Sequence, residues 1–308
     1  MEAVESKDLV KVYSGKEKVE ALRGISLSIR KGELFTLLGP NGAGKTTFQR
    51  IVSTQLLPTS GEAYVLGDNV ITQPEEVRKH MAVVPQDIRT YDNFTPWEYA
   101  YYFAELHGLS KSKAKENAEE ALKAVDLWNL KNRICGSLSG GERRRAIIAS
   151  ALSSDADIFI LDEPTSGLDA VARRHTWRAL TRIVNEGKTI LLTTHIMEEA
   201  EMVSDRLAII NKGRVVTEGT LEDIKNLSDD KFRVIIEGDI DELGFLGKRD
   251  GLIQYGSKNI MYLKNEDEAL EIVKKALGKG LKAEAAPITL EDVFVKLVGG
   301  ETDENQNF

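Results

Sequence analysis

A glycine-rich segment at residues 39–46 constrains this chain more than any other part of its sequence. It follows a short apolar run at residues 34–38 and reads glycine, four further residues, and then Gly-Lys-Thr. Glycines allow backbone N–H groups to wrap closely around phosphate oxygens, and a helix that begins at Lys45 would direct its unpaired N–H groups at the same anion. The pattern therefore predicts a strand, a phosphate-binding loop and a helix in succession.

The individual positions of this loop have different expected roles. Lys45 is expected to reach the β- and γ-phosphates of a nucleotide, and the Thr46 hydroxyl is placed to bind Mg²⁺. A chance glycine-rich turn is the alternative, and the complete pattern behind an apolar strand argues against it. The predicted nucleotide-binding residues of the loop are Gly39, Pro40, Asn41, Gly42, Ala43, Gly44, Lys45, Thr46 and Thr47.

Two adjacent acids, Asp162 and Glu163, end a second apolar run at residues 158–161. An acid at such a strand end helps to hold Mg²⁺ in phosphoryl-transfer enzymes with this kind of loop, which fits Asp162. A second acid one residue later can polarise an attacking water molecule, which fits Glu163. Acidic turn residues without such a role are the alternative, and the phosphate-binding loop argues against it.

Short apolar runs alternate with helical segments through most of the chain. Strand-like runs lie at residues 34–38, 81–84, 158–161, 189–194 and 207–210, and helical patterns lie at 96–126, 170–185 and 197–203. Such alternation is typical of an α/β fold with a mostly parallel sheet that helices cover on both faces. Two further strand-like runs, at 9–13 and 21–29, precede the glycine-rich loop.

The pattern changes after residue 227. The remaining strand-like runs and helical stretch lie at 232–237, 259–263 and 268–276. They contain no phosphate-binding pattern, so we expect a nucleotide-binding domain at residues 1–227 and a small α+β domain at 228–298. Residues 299–308 are rich in Gly, Glu, Asp and Asn, and we expect them to form a disordered tail.

The composition narrows the classes of function and location. Lys and Arg number 41 against 49 Asp and Glu, a net charge of −8, which argues against non-specific nucleic-acid binding because that needs a basic surface. The one cysteine, Cys135, cannot form an internal disulfide, and we expect an unreactive, semi-buried thiol in a cytoplasmic protein. No apolar run approaches the ~18–20 residues of a membrane span, and residues 1–5 do not resemble a signal peptide.

A five-residue segment between the glycine-rich loop and the pair of acids makes a family resemblance specific. Residues 138–142 read Leu-Ser-Gly-Gly-Glu, and with them the chain resembles the ATPase subunits of ATP-binding cassette (ABC) transporters. This signature segment usually ends in Gln, and Glu is a familiar variant. Other family elements are matched by Gln86 (the Q-loop glutamine), Asp169 (the D-loop, residues 166–169), His195 (the switch histidine) and Tyr13 (an aromatic that stacks on adenine).

This resemblance, which covers about residues 6–225, implies a fold and a mechanism. The fold is that of an ABC ATPase of the P-loop class, with an antiparallel N-terminal β subdomain and a helical subdomain at about residues 90–150. Two such domains face each other head to tail with ATP and Mg²⁺ at each interface. One domain supplies the catalytic residues Lys45, Glu163 and His195 and the Mg²⁺ ligands Thr46, Gln86 and Asp162. The other domain supplies Ser139, Gly140, Gly141 and Glu142 in trans.

The same resemblance predicts partners and location. It implies a separate transmembrane permease subunit, a second ATP-binding subunit that is identical or different, and a position on the cytosolic face of the cell membrane. Residues 289–294 and the arginines Arg143, Arg144 and Arg145 are similar to exporter ATPases of the drug-resistance type, such as those for daunorubicin, which favours export. Residues 289–294 alternatively begin an amphipathic helix that packs on its own domain.

Two questions stay open at the level of sequence. The aromatic residues between positions 91 and 103 suit either docking of a membrane subunit or packing inside the helical subdomain. A soluble ABC ATPase that acts on DNA or ribosomes is a second functional hypothesis, although such proteins usually carry two cassettes or long coiled-coil insertions. A regulatory nucleotide-binding module without turnover is a third, and the intact Lys45, Asp162, Glu163 and His195 argue against it.

Overall fold

The structure is a computed structural model that describes residues 2–15, 17–86, 90–238 and 252–303. Contacts within the chain divide it into two compact units, residues 1–218 and residues 219–308.

The first unit contains the predicted alternation of strands and helices. Its strands are β1 (Glu2–Ser14), β2 (Lys18–Arg30), β3 (Leu34–Leu38), β4 (Ser60–Val65), β5 (Asp68–Asn69), β6 (Met81–Val84), β7 (Ile158–Asp162), β8 (Thr189–Thr194), β9 (Arg206–Asn211) and β10 (Arg214–Gly219), the last of which ends at the boundary. Its helices are α1 (Lys45–Val52), α2 (Pro74–Lys79), α3 (Pro96–Leu106), α4 (Lys111–Ala124), α5 (Gly140–Leu152), α6 (Ala170–Asn185) and α7 (Met197–Val203).

The central sheet has the strand order β10-β9-β3-β8-β7-β6. Its pairs from β9 to β6 are parallel, which confirms the predicted mostly parallel core. Every residue of β3, β7 and β8 is buried, as expected for strands that are covered on both faces. Because parallel strands end at one edge of a sheet, the segments that follow β3, β6, β7 and β8 all begin at that edge.

The N-terminal sheet is antiparallel, as predicted. Its strand order is β2-β1-β4-β5, and β1 pairs with both β2 and β4. Both β1 and β2 are longer than the predicted runs 9–13 and 21–29, because the alternation of buried and exposed side chains continues past the most apolar residues. The glycine-rich loop thus leaves the central sheet at the end of β3, whereas β1 and β2 belong to the antiparallel sheet.

The helical part of the first unit is built from α3, α4 and α5, which contact one another. The predicted helical segment 96–126 is interrupted at Gly108, whose φ of 90° lies in the left-handed region and ends α3. Of the aromatic residues, Trp97, Tyr101 and Phe103 pack against the core, as the packing interpretation expected, whereas Tyr91, Phe94 and Tyr102 are exposed. Cys135 is buried, and this burial raises the pKa of its thiol to about 11, as an unreactive cysteine requires.

The second unit is a small α+β structure. Its elements are α8 (Leu221–Asn226), β11 (Phe232–Glu237), β12 (Ile253–Tyr255), β13 (Lys258–Leu263), α9 (Glu266–Gly278), β14 (Lys282–Pro287) and α10 (Leu290–Asp303). The antiparallel sheet has the order β12-β13-β11-β14, and α9 contacts β11 and β14. Helix α8 contacts α10, which is why this unit begins before the predicted boundary at 227.

The segment 289–294 packs within this second unit, as the alternative interpretation expected. Thr289 and Asp292 form a reciprocal cap at the start of α10, and Asp292 also accepts a hydrogen bond from Tyr262 Oη at 2.8 Å. Helix α10 continues to Asp303 and so includes residues 299–303 of the expected disordered tail. The rest of the expected tail, residues 304–308, lies outside the described residues.

Candidate nucleotide-binding and catalytic site

The glycine-rich loop joins β3 to α1, and two of its glycines are dictated by close contacts. A Cβ atom on Gly39 would lie 2.2 Å from the Ile210 carbonyl oxygen. Gly44 has a φ of 111°, and a Cβ atom there would lie 2.6 Å from the Ala21 carbonyl oxygen. Helix α1 begins immediately afterwards with Gly44 as a cap that has no side chain, so its first N–H groups face the loop without a side-chain acceptor.

Lys45, the first residue of α1, is buried against the loop. Its Nζ donates to the carbonyl oxygens of Gly39 at 2.7 Å and Pro40 at 3.0 Å, and it lies 4.0 Å from Glu163 Oε1. Burial lowers the pKa of Lys45, and the nearby carboxylates of Glu163 and Asp162 oppose that shift. The ammonium group is therefore held between loop carbonyls and acids at the centre of the candidate site.

Asp162, the last residue of β7, is fixed by two hydroxyl groups. Thr46 Oγ1 donates to Asp162 Oδ2 at 2.9 Å, and Thr193 Oγ1 donates to Oδ1. Thr193 lies directly beside Asp162 in the parallel pairing of β7 with β8. Sequence reasoning missed Thr193, although a polar residue near the end of a buried apolar strand was the available signal.

The oxygens of Thr46 and Asp162 suit Mg²⁺, which prefers oxygen ligands and usually keeps several waters and phosphate oxygens beside one or two protein ligands. Among the described residues no cluster of three or more His, Cys, Asp or Glu side chains could hold a metal by itself. The predicted third ligand, Gln86, is turned toward Glu163, because its Nε2 donates to Glu163 Oε2 at 3.3 Å.

Glu163 is contacted by residues from three other segments that begin at this edge of the sheet. Its carboxylate lies 2.9 Å from His195 Nδ1 and accepts from Gln86, and Lys45 Nζ lies 4.0 Å away. The residue is only 5% exposed. Its φ of 48° is in the left-handed region, which is uncommon for a residue with a side chain. Lys45, Gln86, Glu163 and His195, predicted separately, are therefore brought together.

The signature segment begins a helix with a reciprocal cap. Ser139 Oγ accepts from the Glu142 N–H at 3.2 Å, and Glu142 Oε2 accepts from the Ser139 N–H at 2.7 Å. That backbone N–H lowers the pKa of Glu142. Ser139 and Gly140 are exposed at the start of α5. The cap explains why a glutamate at the fifth position is compatible with this segment.

The remaining predicted residues lie at the margins of the site. Asp169 caps α6, with its Oδ1 accepting from the N–H groups of Val171 and Ala172 at 2.9 Å each, and the bond from Ala172 lowers its pKa most. Tyr13 is 38% exposed, and its hydroxyl lies 3.4 Å from Thr47 Oγ1 near the start of α1. A cleft of about 640 Å³ is lined by residues that include Gln86, Thr90, Gly140, Gly141, Arg144, Glu163 and Ser166.

Comparison with known proteins decides the family. Residues 22–166 match the family described as ABC transporter. The chain is 36% identical to the Nod factor export ATP-binding protein I of Rhizobium etli, over 98% of this chain and 95% of that protein. The chain belongs to the ABC transporter family. This ABC protein is also 38% identical to the daunorubicin/doxorubicin resistance ATP-binding protein DrrA of Streptomyces peucetius, over 73% of this chain and 67% of that one.

Solved structures agree with the assignment. The ABC chain is similar to the dimeric structure of the ATP-binding cassette MJ0796 in a post-hydrolysis state with ADP and Pi, with a TM-score of 0.65 and 28% identity over 71% of this chain and 98% of that one. Proteins of this family bind and hydrolyse ATP, and this ABC chain is accordingly an ATPase. No helix among the described residues of this ABC protein is long and apolar enough to cross a membrane.

Proposed function

We propose that this chain is the ATP-binding and ATP-hydrolysing subunit of an exporter, and that it drives a separate transmembrane permease from the cytosolic face of the membrane. The observation that carries the proposal is the convergence of Lys45, His195 and Gln86 on the buried carboxylate of Glu163, next to a phosphate-binding loop. These contacts support the proposal that the Glu163 carboxylate faces the terminal phosphate of bound ATP.

The proposed chemistry follows from these groups. The loop N–H groups and the start of α1 bind the phosphates, and Lys45 is drawn from its carbonyl partners to the β- and γ-phosphates. Thr46 and Asp162 would hold Mg²⁺, which would compensate the charge of the phosphate oxygens. Glu163 orients and polarises a water molecule whose oxygen bonds to the γ-phosphorus as the bond to the β–γ bridging oxygen breaks. His195 holds the Glu163 carboxylate in this direction.

The proposal includes a second ATP-binding subunit. Ser139 and Gly140 are exposed at the N-terminus of the 13-residue helix α5, which suits binding of a γ-phosphate presented by a partner domain. The similar cassette MJ0796 is described as dimeric with ADP and Pi, which supports the same arrangement here. Tyr13, close to the start of α1, is proposed to stack on adenine.

The names of two relatives support the proposal of export. One relative is named for export of Nod factor, and another for resistance to daunorubicin and doxorubicin. The exposed side chains of Tyr91, Phe94 and Tyr102, which follow the Q-loop glutamine Gln86, are the proposed docking surface for the permease.

The first test is turnover by the Glu163→Gln variant of the full chain. We expect binding of MgATP to persist and phosphate release to fall by about 100-fold or more, because the amide cannot polarise water. Glu198→Gln is the control, since Glu198 is an exposed acid whose contact is a surface ion pair with Arg173. Turnover of Glu163→Gln at the rate of the unaltered chain would contradict the assignment.

The partner is tested by affinity purification of the tagged chain from membranes solubilised in mild detergent, followed by mass spectrometry. A co-purifying multi-span membrane protein supports the transporter proposal and identifies the permease. Ribosomal or DNA-repair proteins without a membrane protein would instead favour the soluble ABC ATPase.

A further inference from the structure

The guanidinium group of Arg144, on α5, donates five described hydrogen bonds, and all of them go to backbone carbonyls outside its own helix. Nη1 donates to Pro85 O at 2.9 Å and Gln86 O at 2.8 Å, Nη2 donates to Asp162 O at 2.7 Å and Glu163 O at 3.0 Å, and Nε donates to Pro164 O at 3.2 Å. One guanidinium group therefore joins α5 to the segments that follow β6 and β7.

The chemistry of arginine suits this position. Strands β6 and β7 are parallel neighbours, so their carbonyl groups leave the sheet side by side at the same edge. Backbone carbonyls that have left a sheet need other donors if they are to be buried. A guanidinium group offers five N–H donors in a rigid planar fork, whereas an ammonium group is a point charge on a flexible stem. Lysine at position 144 could not reach both segments at once.

One of these contacts is to Glu163, a residue with an uncommon backbone conformation. Glu163 has a φ of 48°, and a non-glycine residue keeps this unfavourable conformation only where its surroundings hold it. The Glu163 carbonyl accepts from Arg144 Nη2 and from the Ser166 N–H at 3.1 Å, while its own N–H donates to Thr193 O at 2.9 Å. This backbone conformation sets the direction in which the Glu163 carboxylate points.

We propose that Arg144 is a positioning residue for ATP hydrolysis, which ties the carboxylate of Glu163 and the amide of Gln86 to the helix that begins with the signature segment. The inference rests on the proposed role of Glu163 as the group that orients water. Ser139 and Gly140 lie at the start of the same helix, so a γ-phosphate bound there and the Glu163 backbone share one rigid connection. Arg144 itself does not touch the reacting atoms.

The neighbouring Arg145 provides a matched control. Its Nη1 donates to the carbonyl oxygens of Val125 at 3.0 Å and Asp126 at 2.8 Å, at the end of α4. Asp126 also has a left-handed backbone, with a φ of 53°. Arg145 therefore makes the same kind of contact from the next position of the same helix, but inside the helical part of the unit.

The test compares Arg144→Lys with Arg145→Lys in the full chain, by phosphate release and by thermal unfolding. We expect Arg144→Lys to lower kcat by about tenfold or more with KM for ATP changed less than about threefold, because small misplacements of a catalytic group are costly while phosphate binding is untouched. Arg145→Lys should change Tm but leave kcat within about twofold. Equal losses of kcat and Tm in the two variants would mean that Arg144 is only structural, and would overturn the inference.

Chemical rescue separates positioning from stability. In Arg144→Ala, millimolar guanidinium chloride should restore part of kcat, whereas ethylammonium chloride should not, because only the planar fork bridges both segments. Absence of rescue in a variant that unfolds at the temperature of the unaltered chain would count against the proposal. Glu163→Gln is measured in parallel: full turnover there defeats the role of Glu163, whereas a dead Glu163→Gln with a fully active Arg144→Lys defeats only the role of Arg144.

Discussion

Lys45 is buried beside two carboxylates, and this balance of charges governs which ligands the site can bind. Asp162 and Glu163 are both buried within reach of the one ammonium group. Adding the negative charge of a triphosphate to this arrangement is unfavourable unless a divalent cation enters with it. The Thr46 hydroxyl, already bonded to Asp162, marks where that cation would be held. Binding of nucleotide is therefore expected to depend strongly on Mg²⁺.

The adjacent threonines make this dependence testable. In the unaltered chain, removal of Mg²⁺ with EDTA should weaken ATP binding by about tenfold or more, as judged by titration of a fluorescent ATP analogue. Thr46→Ala should lose most of this difference, because one of the two oxygens is gone, and Thr46→Ser should keep it. Thr47→Ala is the control, since Thr47 contacts Tyr13 and not Asp162. A Thr46→Ala variant with an unchanged response to EDTA would exclude this residue as a ligand.

At the scale of elements, buried strands were the features that the sequence predicted best. β3, β7 and β8 are continuous apolar runs because helices cover both of their faces, and their predicted limits are within one residue of those observed. β14 escaped notice because its residues, Lys-Ala-Glu-Ala-Ala-Pro, have little strand propensity and pair only in the folded sheet. Local pattern thus finds elements with large apolar content, and tertiary pairing decides the others.

The residues of the candidate site divide in the same way, into those that local sequence predicts and those that depend on tertiary contacts. Lys45, Asp162 and Glu163 were predicted from patterns along the chain, and His195 from the family resemblance. The five hydrogen bonds from Arg144 to backbone carbonyls were not predicted, because they depend on where α5 lies against two loops that are distant in sequence. Glu199 is similar: it is fully buried in α7, and its Oε1 accepts from Thr165 Oγ1 and Trp177 Nε1. Contacts between residues far apart in sequence have no signal in a single chain.

Glu199 leads to a prediction about how helix α7 is held. Its carboxylate joins α7 to the loop after β7 and to α6, at 2.7 Å from Thr165 Oγ1 and 3.0 Å from Trp177 Nε1. Glu199→Ala leaves a buried hydroxyl and a buried indole N–H without this acceptor, so the free energy of unfolding should fall by about 2–4 kcal/mol in urea titrations. Glu198→Ala is the matched control, because its side chain is 67% exposed, and it should change stability by less than about 1 kcal/mol. Equal effects of the two substitutions would contradict the proposed connection.

At the scale of the whole molecule, the two units have separate cores. The apolar cluster of the second unit includes Val234, Ile236, Met261 and Ile272, from its sheet and from α9. The Rhizobium etli relative matches 98% of the chain and so includes this unit, whereas the match to DrrA covers 73%. The residues proposed for ATP binding and hydrolysis all lie in the first unit. A partner domain that completes the site is therefore expected to contact residues 1–218.

A symmetric pair of first units makes a distinctive prediction for mixed dimers. If the signature segment acts in trans, a dimer of one Lys45→Ala chain and one Ser139→Arg chain retains one intact composite site, and its phosphate release should be about half that of the unaltered dimer. If the segment acts within its own chain, each subunit of that pair is defective and no turnover remains. Two affinity tags allow the mixed dimer to be purified free of either parent.

The matched control for this experiment combines Lys45→Ala with Glu163→Gln. Both residues belong to the same half of a composite site, since Lys45 Nζ lies 4.0 Å from Glu163 Oε1 within one chain. That mixed dimer therefore has no intact site under either arrangement, and it should show no turnover. Activity in the first pair and none in the second requires that each site draw Lys45 and Glu163 from one subunit and Ser139 from the other. Turnover in neither pair would contradict the prediction that one intact composite site in trans is sufficient for activity.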